Sequence, residues 1–281
     1  MTSPWIAALF ALFAWWFFTG AILLIVRRAD GGDVTRSKDA PNGVAHGRNV
    51  FLSVPILALG VAGVVVSSTA PTLVNIYVAF VSTLLIWGWI ELAFLSGVIT
   101  GPERRPCPAH LTGPARFNRA WHTVSYHEVL LLFALLVLLN ITNGAENTVA
   151  FWTYLILFVA RISAKLNLFF GVPRINTEFV PLPLQHLKSY FRQGPITMAF
   201  PVGVTFLSIT AVCFADRLIV APTPEAAVGF ALLTALAALA ALEHWLMVVP
   251  LPDAKLWRWM LPDAPTTLAP KNYAKDKTHE L

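Results

Sequence analysis

Residues Val74 to Val98 read VNIYVAFVSTLLIWGWIELAFLSGV, and Glu91 is the single charge in the run. Wound as a helix, such a run is long enough to cross a hydrocarbon core about 30 Å thick. Comparable apolar runs occur at roughly 4–26, 50–67, 121–141, 149–171, 197–219 and 226–249. In lipid, only helices and closed barrels satisfy every backbone polar group internally, and runs of this length fit helices. The pattern predicts an all-α integral membrane protein, a bundle of about seven transmembrane helices.

Composition points the same way. Of the 281 residues, 57% are hydrophobic and 12% charged, against roughly 25% charged in soluble domains, which excludes an ordinary water-soluble enzyme. The net charge of +5 does not imply nucleic acid as a partner, because the basic residues lie beside the apolar spans, where lipid headgroups attract them. The bilayer is the expected surrounding.

The loops then orient the chain. Arg27, Arg28, Arg36, Lys38 and Arg48 follow span one, and Arg104, Arg105, Arg116 and Arg119 follow span three. Arg174, Lys188 and Arg192 follow span five, and Lys255, Arg258, Lys271, Lys275 and Lys277 follow span seven. Seventeen of the 20 basic residues therefore fall on one side, which the positive-inside rule makes cytoplasmic. The N-terminus is expected in the periplasm and the C-terminus in the cytoplasm. Cys107 and Cys213 then lie on opposite sides and form no disulfide. Span one, with its arginines after rather than before it, is expected to be retained rather than cleaved. Residues 1–261 form one transmembrane domain. Segments near 184–192 and 254–261, where rings alternate with basic residues, suit the headgroup layer, and 262–281 is a polar cytoplasmic tail.

Ionisable residues inside a bilayer cost about 2.5 to 3.5 kcal/mol each on insertion scales, so each demands a partner or a task. Glu91 in span three, His127 and Glu128 in span four, Arg161, Lys165 and Asn167 in span five, and Glu243 and His244 in span seven all fall in the cytoplasmic half. Antiparallel neighbours bring these positions to a similar depth, so four helices are expected to share one polar, enclosed pocket. Arg161 and Lys165, four apart, stack on one face, and Glu91, Glu128 and Glu243 are the expected answers to their charge. His127 and His244 would then be available to a ligand, such as a chlorophyll-type magnesium, a quinone or a carotenoid end group. A purely structural network of ion pairs is the plainer reading of the same residues.

A sharper alternative is a metal site. Glu91, His127, Glu128, Glu243 and His244 are the ligand types of carboxylate-bridged di-iron bundles, and iron there would make the chain an oxidoreductase of pigments or quinones. Against it, the di-iron signature is Glu-x-x-His on one helix face, whereas His127-Glu128 and Glu243-His244 are adjacent and diverge by about 100°. Arg161 and Lys165 would also neutralise two of the carboxylates. No second histidine follows His127-Glu128 at zinc-protease spacing, and no residue is assigned a catalytic role.

Several ordered motifs carry a family resemblance. They are Trp87-Gly88-Trp89-Ile90-Glu91 leading to Gly101-Pro102, Tyr126-His127-Glu128, and Arg161-Ile162-Ser163-Ala164-Lys165-Leu166-Asn167. Phe170-Gly171-Val172-Pro173, Leu187-Lys188-Ser189-Tyr190-Phe191, Leu242-Glu243-His244-Trp245, Leu251-Pro252-Asp253 and Trp257-Arg258-Trp259 follow. Together they resemble the PuhE-type photosynthetic complex assembly proteins of anoxygenic phototrophic bacteria, from span one to about Leu261. The resemblance implies residence in the photosynthetic intracytoplasmic part of a bacterial inner membrane. It further implies a role in assembling or regulating bacteriochlorophyll-containing reaction-centre and light-harvesting complexes, and no known reaction. Subunits or assembly factors of those complexes would be the partners, and bacteriochlorophyll or another pigment the ligand. It brings no established site residues with it.

Overall fold

The computed structural model describes residues 2–31 and 42–250 of the chain. The expected interfacial stretch at 254–261 and the tail at 262–281 lie outside the described residues. Those described are helical, without a strand; one isolated β-bridge joins Val172 and Gln193. Among the described residues, seven helical stretches are long and apolar enough to cross a membrane.

The first is α1 (Pro4–Ala29). The second is built from α2 (Asn42–Leu52) and α3 (Val54–Ser67), which meet at Ser53. Pro55 has no N–H to return to the preceding turn, and the Ser53 hydroxyl donates to the Val50 carbonyl at 2.8 Å. Then come α4 (Leu73–Leu95), α5 (Gly113–Thr142), α6 (Val149–Phe170), α7 (Ala199–Ile219) and α8 (Pro224–Leu246). Helix starts follow capping chemistry. Thr72 and Thr223 accept from the N–H groups of Asn75 and Ala226 at 3.3 and 3.2 Å, and Pro224 opens α8, where its missing N–H costs nothing. Helix α5 begins well before its apolar run, adding an amphipathic extension that carries Arg116 and Arg119.

Burial sorts the helices. Two-thirds of the most apolar window of α4 and over half of that of α8 are inside the protein, against about a fifth for the others. Helices α4 and α8 therefore form the centre, and α1, α3, α5, α6 and α7 pack around them. The main core joins Ala7, Ala11 and Ala14 of α1, Phe80 of α4, Ile156 of α6 and the alanine- and leucine-rich face of α8. Close approach rests on small residues, since apolar burial drives little association in lipid. A Cβ on Gly60 would lie 2.9 Å from the Ser82 carbonyl, and one on Gly63 would overlap the Ser82 side chain.

At the end of the bundle where α4 stops and α5 starts, two segments close over the helices. The 96–112 loop docks on α5 through His127 N–H to Thr100 O (3.0 Å) and Glu103 N–H to His122 O (3.1 Å). Gly101 makes this approach feasible, because a Cβ there would come within 2.8 Å of the Thr123 carbonyl carbon. The 171–198 segment includes a 3-10 helix, Leu182–Tyr190, whose Leu184, Leu187 and Tyr190 are turned inward. Leu184 and Leu187 pack with Phe94 at the end of α4. Arg116 ties the closure by donating to the Phe169 and Tyr190 carbonyls at 3.3 and 2.6 Å. Outside the spans, the Arg105 N–H and the Arg119 guanidinium hold the Glu103 carboxyl below its usual range.

Candidate functional site

Beneath this closure α4, α5 and α6 bring five of the predicted residues into one network. Arg161 Nη2 donates to Glu91 Oε2 at 2.7 Å. Lys165 Nζ bonds both Glu128 Oε1 and, at 2.9 Å, His127 Nδ1. An ammonium has donors only, so His127 Nδ1 accepts and the ring is held as its neutral Nε2–H tautomer. That Nε2 lies 3.7 Å from Glu91 Oε1. The order across the site is thus Arg161, Glu91, His127, Lys165, Glu128, two cations alternating with two carboxylates about a neutral imidazole. Charge balance is what lets such groups stay in a low-dielectric interior.

The ring of Phe94 completes the arrangement. It packs against the His127 ring at 4.2 Å between centroids, tilted by 38°, and its centroid lies 5.6 Å from the Arg161 guanidinium carbon and 5.0 Å from Lys165 Nζ. Phe94 was not among the sequence candidates, although it follows Glu91 by three residues and so shares its helix face. The main-chain bond from His127 to Thr100 was likewise invisible, since it depends on where a loop returns.

Residues 1–267 match the family described as a protein of unknown function, DUF3623. The chain belongs to that family. It is also 46% identical over 262 residues to an uncharacterized 30.4 kDa protein in the puhA 5′ region of Rhodobacter capsulatus, covering 93% of this chain and 92% of that one. No solved structure matches it significantly.

In this DUF3623 chain the remaining sequence candidates sit apart from the five. His244 is buried, with Nδ1 at 2.8 Å from the Ala240 carbonyl and Nε2 at 2.9 Å from Ser163 Oγ. A carbonyl only accepts, so Nδ1 carries the proton and Nε2 accepts from Ser163. Both ring nitrogens are occupied, unlike the expectation that this histidine stands ready for a ligand. Asn167 donates to the Ser163 carbonyl at 2.9 Å, and Gly203 of α7 leaves room for the Ser163 side chain. His244 and Ser163 therefore pin α8 to α6, while the Asn167 bond stays within α6.

Glu243 differs more. The sequence expectation paired it with Arg161 and Lys165, yet it forms no ion pair among the described residues and accepts from Trp15 Nε1 of α1 at 3.1 Å. Adjacent residues on a helix diverge by about 100°, so burying His244 against α6 turns Glu243 toward α1. The five-ligand iron set is consequently not assembled. Among the described residues no three histidine, cysteine, aspartate or glutamate side chains converge as metal ligands, and Lys165 occupies the nitrogen of His127 on the Glu128 side.

Proposed function

We propose that this chain is a non-enzymatic membrane factor that assembles or regulates bacteriochlorophyll-containing photosynthetic complexes by holding or presenting a pigment, or a pigment-binding subunit, within the bilayer. The observation that carries the reading is the end-to-end likeness to a protein in the puhA 5′ region of a photosynthetic bacterium, which agrees with the PuhE-type motif order. The seven apolar helices suit residence in the photosynthetic inner membrane, with the N-terminus periplasmic and the C-terminus cytoplasmic by the distribution of basic residues.

The site supports a holding role more than chemistry. Each cation of the network is answered by a carboxylate, and His127 is held in one tautomer. Such a network fixes the rotation of α4, α5 and α6 about their axes, which is what a scaffold for a pigment or a subunit requires.

Deleting the gene in a phototrophic host tests the proposal. Near-infrared absorption of the membranes should show depleted or altered complex bands while chromatography of extracted pigments shows the normal set. An accumulating pigment precursor would refute the assembly role and point to an enzyme, and unchanged bands would refute it outright.

A further inference from the structure

The polar cluster has a sealed wall and an accessible one. The side chains of Glu91, Glu128 and His127 keep 9, 6 and 0% of their exposure, whereas Arg161 and Lys165 keep 30 and 21%. Glu243, on which the Arg161 charge acts, is exposed. Accessibility on α6 is not confined to one side, because every residue from Arg161 to Leu166 is half-buried, and six successive residues cover all faces of a helix. At this depth a guanidinium and an ammonium do not face acyl chains. Glu243 in turn accepts from Trp15 of α1, which places the accessible wall toward α1 and α8.

Donors outnumber acceptors on that wall. A guanidinium carries five N–H groups and an ammonium three, with no acceptor on either. Arg161 gives Nη2 to Glu91, and Lys165 gives two protons to Glu128 and His127, so a guest must accept. The guest must also be neutral. Glu91 and Glu128 already balance both cations, and a further carboxylate or phosphate would bring an uncompensated charge into a low-dielectric site already bordered by Glu243.

We propose that this wall borders an opening among the helices that binds the neutral carbonyl oxygen, ketone or ester, of a membrane-soluble apolar molecule, with Arg161 and Lys165 as the hydrogen-bond donors. This deepens the pigment-holding reading and rests on it for the nature of the guest. Recognition is by the carbonyl, and the apolar body lies along the helices.

The test uses the full-length protein in phosphatidylcholine nanodiscs titrated with 2-heptadecanone labelled with 13C at the carbonyl, and in parallel with palmitate. The ketone should saturate at one per chain with its carbonyl stretch moved to lower frequency than in protein-free nanodiscs, and palmitate should bind at least about tenfold more weakly, since its carboxylate would enter a site whose two cations are already balanced as an uncompensated charge. Arg161→Lys keeps a cation for Glu91 and removes the guanidinium fork, so it should weaken ketone binding by about tenfold. A carbonyl band at its bulk-lipid position, palmitate binding as tightly as the ketone, or a folded Arg161→Lys protein with unchanged affinity overturns the proposal. If that variant does not fold, the band position and the ketone-to-palmitate ratio of the wild type decide alone. Ketone binding with normal complexes in the deletion strain would sink the assembly role and keep this site; depleted complexes without ketone binding would do the reverse.

Discussion

Replacing Lys165 with methionine, which is similar in length and apolar, probes the network where it is most committed. Lys165 bonds Glu128 and His127 together, and Glu128 keeps 6% of its side-chain exposure, so water does not replace the lost cation. Removing one partner of a buried pair costs about 3–5 kcal/mol, because the other charge is left uncompensated. The loss of the donor to His127 Nδ1 adds to this, and the relief of the Lys165 desolvation subtracts from it. We expect Lys165→Met to lower unfolding free energy by about 3–5 kcal/mol, measured by denaturant titration in mixed micelles of fixed composition. The control is the double variant Lys165→Met with Glu128→Leu, since replacing both members of a buried pair by apolar groups is often neutral. It should recover at least about half of the loss. A single variant within about 1 kcal/mol of the wild type, or a double variant no more stable than the single one, would refute the account of Glu128 as a buried charge held by Lys165.

Gly63→Ala forces a methyl group into the Ser82 side chain and should cost about 1–3 kcal/mol, with Ser82→Gly in the same chain restoring part of it; denaturant titration of the three proteins checks this. Arg116→Ala should release the 171–198 segment from α5 by losing the bonds to the Phe169 and Tyr190 carbonyls, seen as faster amide hydrogen exchange across 182–192 with the spans unchanged. His186, outside the spans, has its pKa lowered by burial and then by Arg104. Its unfolded value therefore exceeds its folded one, and stability present above the ordinary value of 6.5 should decline as pH falls below it. His186→Gln should flatten that dependence in stability measured between pH 5 and pH 8. Topology reporters fused after Arg105 should report the cytoplasm and those after Glu146 the periplasm; the opposite result would invert the orientation proposed above.

Several elements were legible because they depend on local chemistry alone. The length of an apolar run decides that it spans, so most of the spans are read at nearly the bounds observed, α1 from Pro4 and α6 from Val149 among them, while α2 and α5 begin well before their apolar runs. Rare charges in such runs stand out, and their distance from the helix ends fixes their depth, which placed Glu91, His127, Glu128, Arg161 and Lys165 at one level. Iron at Glu91, His127, Glu128, Glu243 and His244 was the alternative that their ligand types suggested, and among the described residues no three such side chains converge as metal ligands.

What the sequence by itself determined is depth: which residues lie in the membrane, and how far in. Only the tertiary structure decided azimuth, the direction in which each side chain points around its helix. Helices α4 and α8 carry apolar residues on every side and few polar ones, so no amphipathic stripe sets their rotation, and small residues such as Gly63 of α3 against Ser82 of α4 and Gly229 of α8 against Val149 of α6 set it instead. That rotation gave Arg161 to Glu91 and Lys165 to Glu128, and it sent Glu243 to Trp15 while His244 turned to Ser163. Two residues adjacent in sequence and equal in depth therefore have different partners, because one step along a helix is about 100° around it.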